Sequence, residues 1–375
     1  MKVEFYKHNL RDEDKGELKE VLDSLFLTTG DWVARFEKKF SEYTGANYAV
    51  GTTSCTDSLF LSLRAIGIDV GDEVITTPMS FVATANTIEY CGATPVFVDV
   101  RKDDGNIDVE KIEQKISSKT KAIIPVHLYG QMCDMKKLKK LSEKHGLKII
   151  EDAAHCIEGE RDGINPGYLG DMACYSFYAT KNLTCGEGGA IVCNDKKLYE
   201  WFKRARLHGL SKSAAERYTK KYEHYDLEFL GYKANMTNID AALLIHQLDR
   251  LPDYLVRREE IAQKYNRAFA NNPYIEVPVV LESTKHARYV YTILVNSLER
   301  DNYMHQLQEL GIGVAVNFRP IHLMKYYREK YNYNSGDFPV AEEIGNRTIS
   351  IPFYPKLREL EIEYIVDSVN KIIVK

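Results

Sequence analysis

From about residue 48 the chain alternates short β-branched runs with windows of helical spacing. Tyr48-Ala49-Val50 precedes a helix opening at Thr56, Val74-Ile75-Thr76 precedes one beginning near Phe81, and Pro95-Val96-Phe97-Val98-Asp99 precedes one capped by Asp108. Ala122-Ile123-Ile124-Pro125-Val126 leads to a lysine-rich helix near 134–145, and Lys148-Ile149-Ile150-Glu151-Asp152 follows it. Apolar strands of this length, spaced by helices, predict a mostly parallel central sheet with helices on both faces, an α/β fold. Cys174 to Tyr178 and Ala190 to Cys193 add two strands around a glycine-rich turn. Between 208 and 232 the periodicity lapses, with Lys212, Lys220 and Lys221 set among tyrosines. A long ordered excursion of that kind usually carries function.

Helical spacing returns at 238–248, and Pro252 marks a domain boundary near 250. Beyond it, strands at 290–295, 313–318 and 349–353 mix with helices near 253–270, 300–310 and 357–372. The expectation is a large domain over residues 1–250 and a small C-terminal α+β domain over 251–375.

With 375 residues, 44% of them apolar and 28% charged, the chain can bury a sizeable core. A net charge of -4 gives no broad basic field, so nucleic acid is not an expected partner. The seven cysteines are scattered and odd in number, which reads as free, mostly buried thiols in a reducing compartment. The N-terminus is charged, and no apolar run reaches the roughly 18 residues of a membrane span. A cytoplasmic protein with no membrane partner is expected. The ten histidines show no metal-ligand spacing, so no metal is expected either.

The candidate chemistry centres on Lys181, in Ser176-Phe177-Tyr178-Ala179-Thr180-Lys181-Asn182-Leu183-Thr184-Cys185-Gly186-Glu187-Gly188-Gly189. A lysine at a strand end beside glycines that let a planar ligand approach, with Ser176 before it and Asp152 ending an apolar strand, supplies what pyridoxal 5'-phosphate (PLP) needs. The amine bonds the cofactor, the carboxylate holds the pyridinium nitrogen, and the hydroxyl receives the phosphate. Thr56, after Gly51-Thr52-Thr53-Ser54-Cys55, opens a helix whose free amides suit a phosphate; Ser54 or Thr56 can equally be an ordinary cap. Phe81 could stack on the cofactor ring, and His155 could bond its hydroxyl. Gly186-Glu187-Gly188-Gly189 lacks the third glycine and the position of a dinucleotide fingerprint, no phosphate-loop motif exists, and Asp103-Asp104-Gly105-Asn106 reads as a turn rather than a calcium loop.

Six ordered blocks make the chain resemble the DegT/DnrJ/EryC1/StrS family of sugar aminotransferases, PLP enzymes of fold type I. They are Leu27-Thr28-Thr29-Gly30, Ser54-Cys55-Thr56, Thr77 to Asn86, Pro125-Val126-His127-Leu128-Tyr129-Gly130-Gln131, Glu151-Asp152-Ala153-Ala154-His155 and Thr180 to Gly189. The resemblance implies a homodimer with active sites at the subunit interface, glutamate as amino donor, the pyridoxamine phosphate form between half-reactions, and a nucleotide-linked keto sugar as acceptor. It implies Lys181 as Schiff-base lysine and proton shuttle and Asp152 at the ring nitrogen. Ser176, Cys55, Thr56 and Asp57 fall at the phosphate end, Phe81 at the stacking position and His155 where many members carry glutamine. The segment Gly231-Tyr232-Lys233-Ala234-Asn235-Met236 departs from a Gly-x-Asn-x-Arg-like pattern, which leaves Lys233 and Asn235 both open for a phosphate contact made across the interface.

Gly311 to His322, His208-Gly209-Leu210-Ser211 and the Gly231-Tyr232-Lys233 segment are similar to enzymes forming 4-amino sugars, such as UDP-4-amino-4-deoxyarabinose aminotransferase. That implies a UDP- or dTDP-linked 4-keto-6-deoxyhexose, with Thr29, Phe318, Arg319 and His322 as substrate contacts; for Arg319 and His322 domain packing is the alternative. Competing functions are a 3-keto sugar aminotransferase of the same family and a PLP-fold binding or regulatory protein without turnover. Intact Lys181, Asp152 and Ser176 argue against the last, and sugar dehydratases of this fold carry histidine where Lys181 stands.

Overall fold

The computed structural model describes residues 1–212, 224–277 and 279–374. Its strands are β1 (Tyr48–Thr52), β2 (Glu73–Thr76), β3 (Thr94–Phe97), β4 (Thr120–Ile123), β5 (Lys148–Asp152), β6 (Glu160–Arg161), β7 (Met172–Ser176), β8 (Gly189–Cys193), β9 (Thr284–Lys285), β10 (Tyr291–Leu294) and β11 (Thr348–Ile351). Its helices are α1 (Asp12–Leu22), α2 (Asp31–Thr44), α3 (Cys55–Ala65), α4 (Ala83–Tyr90), α5 (Met135–His145), α6 (Lys196–Ala205), α7 (Asn238–Phe269), α8 (Arg300–Glu309), α9 (Lys325–Tyr331), α10 (Pro339–Arg347) and α11 (Glu359–Ile372).

Seven strands make one sheet in the order β1-β8-β7-β5-β4-β2-β3. Only β8 runs against its neighbours, β1 and β7; the other pairings are parallel. Both faces are buried, and the two-residue period sorts the side chains between them. Val50, Cys174 and Ile191 pack with Leu59 and Leu63 of α3 and Phe202 of α6 on one face. Ala49, Tyr175 and Val192 pack with Phe36 and Phe40 of α2 and Leu244 of α7 on the other. There Phe40 meets Tyr175 and Phe177 edge-on at 5.1 and 5.5 Å.

The C-terminal unit is built on the antiparallel pair β10 and β11. Its core joins Tyr265 and Phe269 at the end of α7 with Leu307 of α8 and Ile365 of α11. Val3 belongs to this core, its N–H and C=O bonded to Gly311 O and Gly313 N at 2.8 Å each. The first residues of the chain therefore pack with the last hundred, not with the large sheet.

Three expectations change. Pro252 does not break the chain: α7 runs through it for 32 residues, so one helix bridges the boundary expected at 250. Thr237 starts that helix with a capping box, its hydroxyl accepting from Asp240 N at 3.1 Å while the Asp240 carboxylate accepts from Thr237 N at 3.2 Å. Residues 313–318 make no strand; Ala315 exchanges one pair of backbone bonds with Ser350, and the segment then turns so that Ile321 N reaches Pro78 O at 2.8 Å. Asp108 caps a short 3-10 turn, Val109–Lys111, rather than an α-helix. Of the excursion at 208–232, Lys220 and Lys221 lie outside the described residues. Among the described residues no helix is long and apolar enough to cross a membrane, and no cluster of His, Cys, Asp and Glu could hold a metal ion.

One glycine decides how α3 meets the sheet. Gly189 opens β8, paired to Thr52 on one side and Ser176 on the other, and a Cβ there would lie 2.4 Å from Ser54 C and 2.6 Å from Cys55 N. Space, not φ, is the constraint. We expect Gly189→Ala to lose about 1–3 kcal/mol in urea denaturation, the usual cost of overpacking; unchanged stability would show that the start of α3 can move away freely.

Candidate active site

The carboxyl ends of β1, β5 and β7 and the start of antiparallel β8 meet at one edge of the sheet, where ligands of such folds gather. Alternation along β5 sends Glu151 and Asp152 to opposite faces. Glu151 is fully satisfied there: one oxygen accepts from Gly167 N and Gly170 N at 3.0 Å each, and the other from His127 Nε2 at 2.7 Å. Because His127 Nδ1 accepts from Cys133 N at 3.2 Å, its ring hydrogen sits on Nε2 and the pair can form with a neutral imidazole.

Asp152 is the opposite case. It is 5% exposed, and its oxygens accept from Thr84 Oγ1 at 2.7 Å and Ala154 N at 3.2 Å, both uncharged donors. Burial raises its carboxyl above the usual range, and the Thr84 and Ala154 hydrogen bonds and the Lys181 charge pull it back.

Lys181 lies in a turn closed by Tyr178 and Gly186, its N–H bonded to Tyr178 O at 2.9 Å. The turn is pinned on the other side. Asn182 Nδ2 donates to Glu158 Oε2 and to Ala287 O at 2.9 Å each, and Glu158 is paired in turn with the buried Arg258 of α7. The lysine Nζ lies over the Tyr289 ring, 4.0 Å from its centroid, and the Tyr289 hydroxyl meets Thr180 Oγ1 at 3.1 Å. Tyr289 also stacks on His155, 4.3 Å between centroids with planes 15° apart, and His155 stacks on Phe318 at 5.6 Å. Phe318 stands 6.1 Å from Phe81. Lys181, His155, Ser176 and Tyr289 line one small cavity.

The helix α3 brings its N-terminus to the same place, because Gly189 lies under the Ser54 to Cys55 backbone and beside Ser176. Ser54 is the cap, accepting from Asp57 N at 3.0 Å, while the Asp57 carboxylate accepts from the hydroxyls of Thr53 and Ser54 at 2.5 and 2.8 Å. Asp57 thus organises the cap. Thr56 in the first turn is half-buried, and the buried Cys55 thiol is pushed up by desolvation and by the Asp152 charge.

The outer positions separate. Asn235 is buried beside β1, donating to Thr29 Oγ1 at 2.8 Å and accepting from the exposed Lys233 Nζ at 2.5 Å. Thr29 Oγ1 in turn donates to Met236 O at 2.7 Å. Arg319 is exposed and bonded weakly to Leu323 O. His322 is a correction: at 0% exposure it packs on Phe338 and pairs through Nε2 with Glu342 at 3.0 Å, so it serves the packing of the small unit and is not an accessible substrate contact. A larger cleft of about 770 Å³ lies between α2 and α6. It is lined by Thr29 and Arg206 but by none of Lys181, Asp152, Ser176 or His155, and it is not where this chemistry converges.

These residues fit PLP. Asp152 is a buried carboxylate hydrogen-bonded only by uncharged donors, His155 Nδ1 is buried without a partner, and Phe81 holds an aromatic ring 58% exposed at the rim of a packed turn. Each is expensive or unusual alone and would be answered by a protonated ring nitrogen, a ring hydroxyl and a ring face. Tyr289 and Thr84 were not singled out from sequence; Thr84 stands inside the block Thr77 to Asn86, while Tyr289 sits in a strand-like run with no motif.

A profile of the DegT/DnrJ/EryC1/StrS aminotransferase family matches residues 8–370. The chain is 41% identical over 367 residues to the spore coat polysaccharide biosynthesis protein SpsC of Bacillus subtilis, covering 96% of this chain and 94% of that protein. It is 35% identical over 371 residues to GDP-perosamine synthase of Escherichia coli O157:H7, covering 98% of each. The PLP-form of Spr1654 from Streptococcus pneumoniae superposes with a TM-score of 0.92 at 30% identity, over 99% of this chain and 98% of that one.

Burial pushes His155 well below the usual histidine range. As pH falls below about 6.5 the unfolded chain gains a proton there that the folded chain does not, so stability drops by about 1.4 kcal/mol per pH unit from this group. Urea denaturation of the cofactor-free protein between pH 7 and pH 5 should show a slope that contains this contribution, and His155→Gln should flatten it by that amount. Identical slopes would mean that His155 protonates within the fold.

Proposed function

The chain belongs to the DegT/DnrJ/EryC1/StrS aminotransferase family, and from that premise we propose that it transfers an amino group from glutamate to C4 of a UDP- or dTDP-linked 4-keto-6-deoxyhexose. It is a PLP-dependent sugar aminotransferase. The observation that carries the reading is the meeting of Lys181, Asp152, Ser176 and the α3 N-terminus at one sheet edge.

When bound, PLP would supply an electron sink that allows a proton to leave the donor carbon bearing the nitrogen and be delivered to a different carbon, which is what lets the nitrogen change hands. Lys181 Nζ is the group that moves this proton, held near its path by the pinned turn on either side. Asp152 would hold the ring nitrogen, and the attraction of a cation offsets the cost of burying its carboxylate. Ser176, the Thr56 hydroxyl and the free amides of α3 would hold the phosphate. Phe81 would cover one ring face, and His155 Nδ1 would meet the ring hydroxyl.

The choice of a 4-keto, nucleotide-linked sugar is supported by the likeness of His208 to Ser211, Gly231 to Lys233 and Gly311 to His322 to 4-amino-sugar enzymes. A relative whose product is GDP-linked supports the nucleotide. Thr29, Phe318 and Arg319 remain the proposed sugar-side contacts. For the homodimer, the support is that Leu25 and Leu230 stand 84% and 83% exposed in the segments that flank Thr28 and Asn235, apolar surface that a second copy would cover. Lys233 or Asn235 would then contact phosphate across that interface. Seven unpaired cysteines, six of them buried, support a reducing, cytoplasmic setting.

Borohydride reduction of the PLP-loaded protein should leave the pyridoxyl group on the peptide containing Lys181, and labelling of another lysine would remove Lys181 from its role. Asp152→Asn should keep bound PLP while turnover with glutamate falls about a hundredfold or more. An amino-transfer assay across UDP-, dTDP- and GDP-linked 3-keto and 4-keto sugars should yield a C4 amine; turnover with 3-keto sugars alone would overturn the regiochemistry and leave the aminotransferase intact.

A further inference from the structure

Asp152 is held by a chain of two hydroxyls that starts in the turn carrying Phe81. Ser80 Oγ lies 2.8 Å from Thr84 Oγ1, and Thr84 Oγ1 lies 2.7 Å from Asp152 Oδ2. Ser80, Thr84 and Asp152 are 2%, 1% and 5% exposed, so no water competes along the chain. Its direction follows from the donor inventory. An ionised carboxylate can only accept, so the single hydrogen of Thr84 goes to Asp152, and Ser80 must donate to Thr84. The alternative acceptor for Thr84, Phe81 O, is more distant at 3.3 Å.

We propose that Thr84, with Ser80 behind it, is a positioning residue that sets both the rotamer and the basicity of Asp152, and so decides on which side of the contact between Asp152 and the cofactor's ring nitrogen the proton rests. The inference rests on the PLP reading of the site. Thr84 Oγ1 and Ala154 N supply one hydrogen bond to each oxygen, so each oxygen keeps capacity for a further donor. A hydroxyl donating to a carboxylate lowers its hold on a proton, so the proton stays on the ring nitrogen, where it draws electrons from the reacting carbon. Without Thr84 the carboxylate holds the proton more strongly, and the ring nitrogen loses it. Because Ser80 and Phe81 are adjacent, the same turn sets the ring face and, through Thr84, the ring nitrogen's partner.

The test uses the enzyme loaded with PLP labelled with nitrogen-15 in the ring. Thr84→Val replaces the hydroxyl by a methyl of nearly equal size, and Thr84→Ser restores the hydroxyl. The wild type and Thr84→Ser should give the resonance of a protonated ring nitrogen, and Thr84→Val should move it toward the unprotonated position. In parallel kcat should fall about tenfold in Thr84→Val with KM within about twofold, the scale of one lost hydrogen bond to a charged group. Thr84→Ser should recover kcat to within about threefold. An unmoved resonance in Thr84→Val, or a Thr84→Ser enzyme as impaired as Thr84→Val, would overturn the proposal, the second by showing that the methyl and not the hydroxyl matters. If Thr84→Val does not fold, Thr84→Ala carries the same readout. Failure of the underlying reading looks different: the wild type itself would show no protonated ring nitrogen, or borohydride would not label Lys181.

Discussion

The charge of Asp152 has to be kept at the end of a strand buried on both faces. A carboxylate moved from water into such a site without compensation costs several kcal/mol, and the protein offers it only a hydroxyl and an amide. The rest of the site is arranged around that imbalance. The neighbouring Glu151 shows that the sheet can satisfy an acid completely, with two glycine amides and a histidine, when the acid serves only the fold. Asp152 is left incomplete on the face toward Lys181. A buried acid that the fold under-satisfies, beside a lysine whose turn the fold pins down, is the arrangement the proposed cofactor site calls for.

Close approach is the second requirement. The end of the site proposed for the phosphate depends on β8 beginning with a residue that has no side chain, so the first turn of α3 can lie on the strand beside Ser176. The amides of α3 and the Ser176 hydroxyl then belong to one place, although they come from positions more than a hundred residues apart in the chain. The cap made by Ser54 and Asp57 keeps the helix start in this orientation, with Thr56 half-buried in its first turn.

The small unit is part of the site rather than an appendage. Through α7, Arg258 reaches Glu158 and, by way of Glu158, the Asn182 side chain next to Lys181. Ala287 N bonds to Gly130 O, and Tyr289 provides the ring beneath the lysine and the face on which His155 stacks. Phe318 reaches His155 and Phe81 from the segment that leaves β11 after a single pair of backbone bonds. A shift of the small unit would be felt at the lysine through packed side chains and hydrogen bonds.

Local pattern was enough to read the alternation of strands and helices and the buried character of the sheet, and to single out Lys181, Asp152, Ser176 and Thr56 as candidates, because each is written in a few adjacent residues whose chemistry is unusual at that spacing. It was not enough where the deciding contact is long-range. Pro252 has a helix breaker's chemistry, yet α7 continues through it because its two halves are held by different cores, Leu244 in one and Tyr265 in the other. His322 sits in a motif-like run, yet the fold encloses it against Phe338 and Glu342, and no local feature says which side of a segment will be covered. Thr84 and Asp152 are 68 residues apart, and Thr180 and Tyr289 are 109 apart. The sequence by itself determined which groups could do the chemistry. Only the tertiary structure decided which of them face one another, which are buried, and which neighbours set their protons, because burial and hydrogen-bond partnership are properties of packed surfaces rather than of residues.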